Sequence, residues 1–416
     1  MDSPARPVPP NPRKPNMPNT GSALALVRSS FLPCVQTIST VVQGGPRRIL
    51  HALRADSFLL ILVTGLIVLS LIAPTQIASY PALVDWPTIA ALTGLLTLTK
   101  GLEVSGSLHR VGNWLVGFMA TERTTALSLV MAAMLLSTVL TNDVALFVVI
   151  PLTLGVCRIA QIPATRLIIF EALAVNAGSA LTPIGNPQNL FLWQLSHVSF
   201  GRFVMHMLPL VAMTMLILIL LTAFVFSARP MQVRSEEKPV ALDRLLLGIS
   251  LVLYLPFLLA TDLHYANWAV CTVLLVFLIF RLRVLAQIDW GLLAVFVLMF
   301  VDLRLLAHLK IVSEVMDGLG LAQASHLYLA SIAASQMVSN VPAAIALSEY
   351  SSDWQVISYG VNIGGFGFML GSIANLIALR MSGDRRAWLS FHAYAIPFLG
   401  IAAVLGYALL SRGHAL

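Results

Sequence analysis

Asn176, Gly178, Gly185, Asn189 and Leu190 recur at one constant offset as Asn362, Gly364, Gly371, Asn375 and Leu376. Each copy sits in a stretch so apolar that an amide side chain there needs a partner. Upstream of the first copy stands Thr141-Asn142-Asp143-Val144, and upstream of the second Ser339-Asn340-Val341-Pro342. Outside the amino-terminal tail, every asparagine except Asn113 and Asn267 falls in one of these four breaks. Amides and hydroxyls such as those of Thr141, Thr182, Asn186 and Ser372 either donate to an oxyanion or offer oxygens to sodium. Gly178, Gly185, Gly364 and Gly371 let the backbone unwind and approach a ligand, and Pro183 and Pro187 stop a helix. Half-helices that restart after such breaks aim free N–H groups and positive dipole ends at the site, which favours an anion. Asp143, the only acid at a tip, is a sodium ligand or proton carrier by type. A duplicated pair of interrupted hydrophobic segments marks a transporter's binding site.

These breaks need a membrane around them. The chain is 58% hydrophobic and 10% charged, with a mean hydropathy of +0.87, whereas soluble domains carry about 25% charged residues. Apolar runs at 58–73, 203–228 and 388–410 approach the ~20 residues that span a bilayer core. The composition predicts an all-α polytopic membrane protein whose main partner is lipid. A net charge of +7 does not indicate nucleic acid, because the basic residues sit in short loops and form no basic face. Cys34, Cys157 and Cys271 are isolated and build neither a disulfide framework nor a thiolate metal site. No phosphate loop, zinc motif or nucleophile elbow occurs. The chain therefore reads as a non-enzyme without a cofactor, with sodium or a proton as its coupling ion.

Hydrophobic runs predict spans near 57–73, 83–102, 166–196, 203–227, 244–260, 265–282, 288–306, 354–380 and 387–410. Segments 124–157 and 322–350 each hold two helices around a polar tip, with arms of about 15 residues against the ~20 needed to cross. They read as re-entrant hairpins, whose irregular tips need protein or a watery cavity around them. With the amino terminus in the cytoplasm and the carboxyl terminus outside, all 25 basic residues except Arg202, Arg304, Lys310 and Arg412 fall inside, as the positive-inside rule requires. The halves then run in opposite directions, an inverted-topology repeat with two re-entrant hairpins and two broken transmembrane helices. The expected division is a disordered cytoplasmic tail at 1–22, an interfacial segment at 23–54, a first transmembrane repeat at 55–228, a cytoplasmic loop and linker helix at 229–264, and a second repeat at 265–411. Residues 108–120, with His109 and Arg110 among apolar neighbours, form an amphipathic surface helix.

Several residues also have plainer readings. Asn142 or Asp143 could cap the second arm of its hairpin, and the glycines could be close helix contacts. Lys100 with Glu103, and Asp302 with Arg304, read as structural ion pairs. Glu171, five residues beyond Arg166, could titrate or could pair near the surface. The histidines show no ligand spacing.

At the four breaks the sequence resembles the ion transporter superfamily, with its citrate-transporter-like domain. Residues 141–146 are similar to the first hairpin tip of arsenite efflux permeases and related bacterial anion permeases, and residues 176–189 to the unwound span that follows. Ser339-Asn340-Val341-Pro342 and residues 371–375 fit the second set, and the resemblance extends over residues 55–411. It implies alternating access in the cell membrane, often as a homodimer, driven by sodium or protons. The cargo implied is a small anion, an inorganic oxyanion such as arsenite or a carboxylate. Carried over by position, Asn142 and Asn340 face ion or substrate from the tips, while Gly185-Asn186 and Gly371-Ser372 line it from the broken helices. A sodium site would fall to Asn142, Asp143 and Asn186. The dicarboxylate symporters of this superfamily have Ser-Asn-Thr at both tips, where this chain has Asp143 and Val341 in third place. The rival readings are a sodium/proton antiporter of the same fold using Asp143, and a membrane scaffold subunit that transports nothing.

Overall fold

Two helices carry long stretches buried on every side, and both of them break. The computed structural model describes residues 57–160, 162–231 and 241–413. The expected tail at 1–22, the interfacial segment at 23–54 and residues 232–240 of the expected loop lie outside these. The described chain is helical throughout its regular structure, with one isolated antiparallel bridge between Thr121 and Pro230.

The first half begins with α1 (Ser57–Ile72), which turns through 120° into a 3-10 turn and the short α2 (Tyr80–Leu83). It continues through α3 (Trp86–Val104), α4 (Ser107–Val116), α5 (Glu122–Val139), α6 (Asn142–Ala160), α7 (Thr165–Ser179), α8 (Pro187–Ser196) and α9 (Phe200–Val225). A linker helix, α10 (Arg244–Asp262), follows. The second half then repeats the order: α11 (Ala266–Phe280), α12 (Leu282–Leu285), α13 (Trp290–Ala307), α14 (Lys310–Gly318), α15 (Ala324–Val338), α16 (Asn340–Ser348), α17 (Trp354–Gly364), α18 (Ile373–Ser382) and α19 (Ala387–Gly413).

Local chemistry repeats with the order. Asp85 and Asp289 cap α3 and α13, each accepting a backbone N–H at 2.9 Å, from Thr88 and Leu292. The next residue is tryptophan both times, and its indole donates backwards, Trp86 to the Pro81 carbonyl (2.8 Å) and Trp290 to the Leu285 carbonyl (3.0 Å). The amphipathic α4 appears where the sequence places it, and α14 is its counterpart. The long α9 and α19 each carry an internal proline, Pro209 and Pro397.

The halves are joined by exchange. Helix α1 packs on α13 while α11 packs on α3, and α8 packs on α16 and α17 while α18 packs on α6 and α7. Every residue of α7 from Leu167 to Ser179 is buried, as is every residue of α17 from Val356 to Gly364; such all-round burial is the signature of a core helix. Helix α5 lies along α7 and α15 along α17. A Cβ at Gly178 would collide with the Met134 carbonyl, and one at Gly364 with the Ser335 side chain. At these two positions glycine serves close helix packing.

The hairpins differ from expectation in length. Helices α5 and α6 have 18 and 19 residues, while α15 and α16 have 15 and 9. Among the described residues, α6, α9, α10, α13 and α19 are each long and apolar enough to cross a membrane. The first hairpin's arms are longer because Thr121 starts α5 with a capping box and Pro151 lies inside α6 without ending it. Length therefore does not by itself distinguish α6 from a crossing helix.

Of the two expected ion pairs, one forms and one does not. Lys100 Nζ meets Glu103 at 2.9 Å. Arg304 leaves Asp302 and binds Glu349 (Nε to Oε1, 2.9 Å) and the Leu83 carbonyl (Nη1, 2.6 Å), with its guanidinium 5.6 Å from the Phe300 ring centre. Residues two apart on a helix do not face each other, so Asp302 instead points at Gly65 of α1. At the start of the linker helix, Asp243 accepts the Leu246 N–H and binds Arg281. That N–H first, and the guanidinium after it, hold its carboxyl below the usual carboxylate range. Cys157 is buried, Cys271 is exposed, and both are free thiols.

Arg304 joins α13 to the turn before α3 and to the end of α16, so its removal should be felt broadly. Arg304→Ala is expected to destabilise the detergent-solubilised protein by about 2 kcal/mol, because Glu349 is left poorly solvated and unpaired. Lys100→Ala should cost under about 1 kcal/mol. Thermal unfolding of the two variants side by side checks the order, and equal losses would contradict it.

Candidate functional site

A helix that restarts inside an apolar interior leaves backbone N–H groups to be satisfied, and the four restarts here are treated differently. At the first tip, the Asn142 N–H donates to the Gly185 carbonyl (2.9 Å) and its Oδ1 accepts from the Asp143 N–H (3.0 Å). The tip is thereby stitched to the linker between α7 and α8. Thr182 Oγ1 adds a second stitch to the Thr138 carbonyl (2.6 Å). Thr141 Oγ1 is buried without a partner among the described residues, and Asp143 stands half-buried beyond it.

At the second tip Ser339 takes φ +76° and ψ 157°, a region almost reserved for glycine and worth about 1–3 kcal/mol of strain in other residues. Its hydroxyl donates to Asn340 Oδ1 (3.4 Å). The stitch here comes from Gln336, which donates to the Gly364 carbonyl and accepts from the Phe368 N–H, both at 2.6 Å.

Between the tips the repeated asparagines bind each other across the halves. Asn176 Nδ2 donates to Asn375 Oδ1 (2.8 Å), and Asn362 Nδ2 donates to Asn189 Oδ1 (2.7 Å). Asn176 Oδ1 accepts from Ser372 Oγ (2.9 Å), and Asn362 Oδ1 accepts from Asn186 Nδ2 (3.0 Å) and Gln188 Nε2 (3.4 Å). The outer amides finish on backbone carbonyls, Asn375 on Gly365 (2.9 Å) and Asn189 on Ala180 (3.0 Å). Exchanging the halves maps Asn176 onto Asn362, Asn375 onto Asn189 and Ser372 onto Asn186. One motif is therefore built twice, with all four asparagines buried.

The symmetry fails at the caps. Asn186 caps α8 by accepting the Asn189 N–H (2.9 Å), whereas α16 and α18 begin with no side-chain cap. Gln188, in the first turn of α8, leaves Oε1 buried and without a partner among the described residues. The first half thus presents oxygens, and the second half presents open helix N-termini.

The structure brings together the residues singled out by sequence but divides their roles. Asn176, Asn189, Asn362 and Asn375 are engaged with one another. Thr141, Asn142, Asp143, Ser339 and Asn340 occupy the tips, and a Cβ at Gly365 would lie 3.5 Å from Asn340 Nδ2 and 3.6 Å from Asn176 Oδ1. Gly185 and Gly371 lie in tight linkers, where a Cβ would strike the Ser179 and Gly364 carbonyls respectively. Sequence reading passed over Gln188 and Gln336. Both are uncharged amides in apolar surroundings, the same signal that marked the asparagines. Glu171 does not pair with Arg166; it is fully buried on α7, where Thr153 Oγ1 of α6 donates to it. Among the described residues, no group of three or more His, Cys, Asp or Glu side chains could hold a metal ion. A sodium ion needs only oxygens, and Asn142 and Asn186 each keep a lone pair on Oδ1 beyond the bond already made.

Residues 49–355 match the family model described as citrate transporter. The chain is 45% identical over 361 residues to the inner membrane protein YbiR of Escherichia coli (strain K12), covering 87% of this chain and 97% of that one. It is 31% identical over 337 residues to the uncharacterized transporter MJ0456 of Methanocaldococcus jannaschii, covering 79% and 91%. A shorter match, 29% identical over 128 residues, reaches the silicon efflux transporter LSI3 of Oryza sativa subsp. japonica and covers 31% of this chain and 26% of that one. With a family match that takes in both hairpins and the first broken helix, on a fold of paired breaks, this multi-pass membrane protein belongs to the citrate transporter family.

Proposed function

We propose that this chain is a secondary active transporter of a small anion, an inorganic oxyanion or a carboxylate, driven by a sodium or proton gradient. The observation that carries this reading is the contrast between the halves. Helices α16 and α18 aim uncapped N-termini at their breaks, which suits an anion. Thr141, Asp143 and Gln188 offer oxygens at the first-half breaks, which suits sodium. The transporter names of several relatives agree with it. Re-entrant hairpins in oppositely directed halves also fit the geometry. Helix α5 starts beside the chain leaving α9, where Arg123 Nε reaches the Phe226 carbonyl (3.0 Å) and the Met231 N–H reaches Ala120 (2.9 Å). Helix α6 ends where α7 starts, so with one crossing for α7–α8 and one for α9 the first hairpin opens and closes on one face in this reading. A homodimer in the cell membrane completes the reading.

A sodium/proton antiporter is the second reading, favoured by the half-buried Asp143 carboxyl that no hydrogen bond engages among the described residues. Proteoliposomes with labelled citrate or arsenite, under imposed sodium or proton gradients, separate the two. Gradient-driven anion flux should fall by about tenfold or more in Asn142→Ala and Asn340→Ala, the loss expected for one strong hydrogen bond. Sodium-dependent proton movement without an anion, abolished by Asp143→Asn, would support the antiporter instead.

The amide pairs make a separate forecast about stability. In a double-mutant cycle, Asn176→Ala and Asn375→Ala should couple by about 1 kcal/mol in thermal unfolding. Strictly additive losses would mean that the pair does not form. At the second tip, Ser339→Gly should raise stability by about 1 kcal/mol by relieving the positive φ. A loss of stability there would contradict the strained conformation.

A further inference from the structure

Glu171 is a fully buried acid on the most buried helix of the fold, and the anion site proposed above makes no use of it. Thr153 of α6 donates to Oε1, while Oε2 is buried and has no partner among the described residues. One turn further along the same face of α6 lies Cys157, which lines an open cleft of about 440 Å³ together with Leu154, Arg158, Ile162, Pro163 and Ala164. The cleft ends at the start of α7, about 10 Å of helix short of Glu171. In the opposite direction, Asn176 of the amide pairs is little more than one turn away.

The repeat supplies an internal comparison. A cavity of about 150 Å³ lies where the end of α8 (Leu192, Leu195, Ser196) meets the end of α16 and the start of α17. The constant offset that relates the asparagines places Ile357 opposite Glu171, and Ile357 lines that second cavity directly. One half therefore has an acid beneath its cleft where the other has a hydrocarbon. General polarity does not explain an acid at one of two equivalent core positions.

We propose that Glu171 is a proton-binding site loaded from the cleft on the membrane face that carries Arg158 and Arg166. A proton from water in the cleft binds Oε2, and it returns to water when the carboxyl is rehydrated. A fully buried carboxyl with a single hydroxyl as partner, and no ion pair among the described residues, carries a charge only at high cost. Water that extends from the cleft along the α6–α7 contact to the carboxyl permits the charged form. Because Thr153 belongs to the hairpin and Glu171 to the broken helix, the protonation state bears on the α6–α7 contact next to the anion site. The other titratable groups on helices packed against α7 are Glu122 and Arg123 on α5, Asp143, Cys157 and Arg158 on α6, Arg202 and His206 on α9, Arg380 on α18, and His392, Tyr394, Tyr407 and Arg412 on α19. Glu122 is held by Ser227 (2.5 Å). Tyr394 meets Phe170 ring to ring at 5.2 Å.

Use of this proton for transport rests on the anion-transporter reading, but its binding does not, and the experiments separate the two. Infrared difference spectra of the full chain in nanodiscs, titrated with pH, should show the carbonyl stretch of a buried protonated acid. Glu171→Gln should delete that band while keeping a near-wild-type melting temperature, because glutamine copies the neutral carboxyl. Thr153→Val should shift the band, and Asp143→Asn and Asp302→Asn should leave it in place. In proteoliposomes, Glu171→Gln should keep citrate exchange within about twofold and lose proton-gradient-driven citrate uptake. A band that survives Glu171→Gln overturns the site. A band that is deleted while driven uptake stays at the wild-type rate overturns the coupling role. Wild-type protein that moves no citrate rejects citrate as cargo and leaves the infrared result to decide proton binding.

Discussion

The amide pairs Asn176–Asn375 and Asn189–Asn362 set the terms for the rest of the fold. A hydrogen bond between membrane helices contributes only about 0.6 kcal/mol on average. The pairs are therefore a modest source of stability. Their effect is on register, since a buried amide that loses its partner costs about 1–3 kcal/mol. Sliding α18 along α7 by one turn would unpair Asn176 and Asn375 together, and the symmetric slip of α8 along α17 would do the same to Asn189 and Asn362. Both broken helices are held at fixed heights by the same bonds. The exchange of α8 and α18 between the halves is the packing counterpart of bonds made from one half to the other.

Within that frame the two hairpins are attached differently. The first tip is tied by its own backbone, Asn142 to Gly185, and reinforced by Thr182. The second is tied one turn earlier, by Gln336, and its tip residue Ser339 carries a strained backbone. Strain of this kind persists where the surroundings over-determine a conformation, and it collects at binding sites and switches. The central amide pairs bind each other across the halves, and the tips meet them through a few short bonds each. A device that must bind and release a small solute needs this combination of a fixed reference and parts that can let go.

Much of this was legible in the chain because a buried amide stands out against leucine and valine. The asparagine repeat located both broken helices, while Gly178 and Gly364, read first as points of unwinding, make close contacts with α5 and α15. The partners of the asparagines were not legible. Nothing local distinguishes an amide that binds a solute from one that binds another amide far along the chain. Asp302 and Arg304 misled because proximity in sequence suggests a pair, while helical rotation turns them apart. For Glu171 the pairing alternative fails in the same way, since Arg166 is near in sequence but exposed at the helix start. The extra length of the first hairpin went unread because its arms were bounded at 124 and 157, whereas α5 starts at Glu122 and α6 runs to Ala160.

The absence of lysine and arginine from the four breaks bears on how an anion would be held. A buried guanidinium or ammonium facing a carboxylate or oxyanion makes a pair whose separation leaves an uncompensated charge, at about 3–5 kcal/mol. Such a site binds well and releases poorly. A helix N-terminus contributes about 0.3–2 kcal/mol toward an anion, and α16 and α18 each begin without a side-chain cap. Transport needs binding favourable enough to enter and weak enough to leave. Two dipole ends and a few amides fall in that range, whereas a fixed cation beside the substrate does not. A mobile cation would reconcile the two demands, because a sodium ion at the first-half oxygens, or a proton on a buried acid, adds positive charge when the solute binds and removes it when the solute departs. On this view the mismatch between the halves, oxygens on one side and open helix ends on the other, is what lets a symmetric frame carry two unlike passengers.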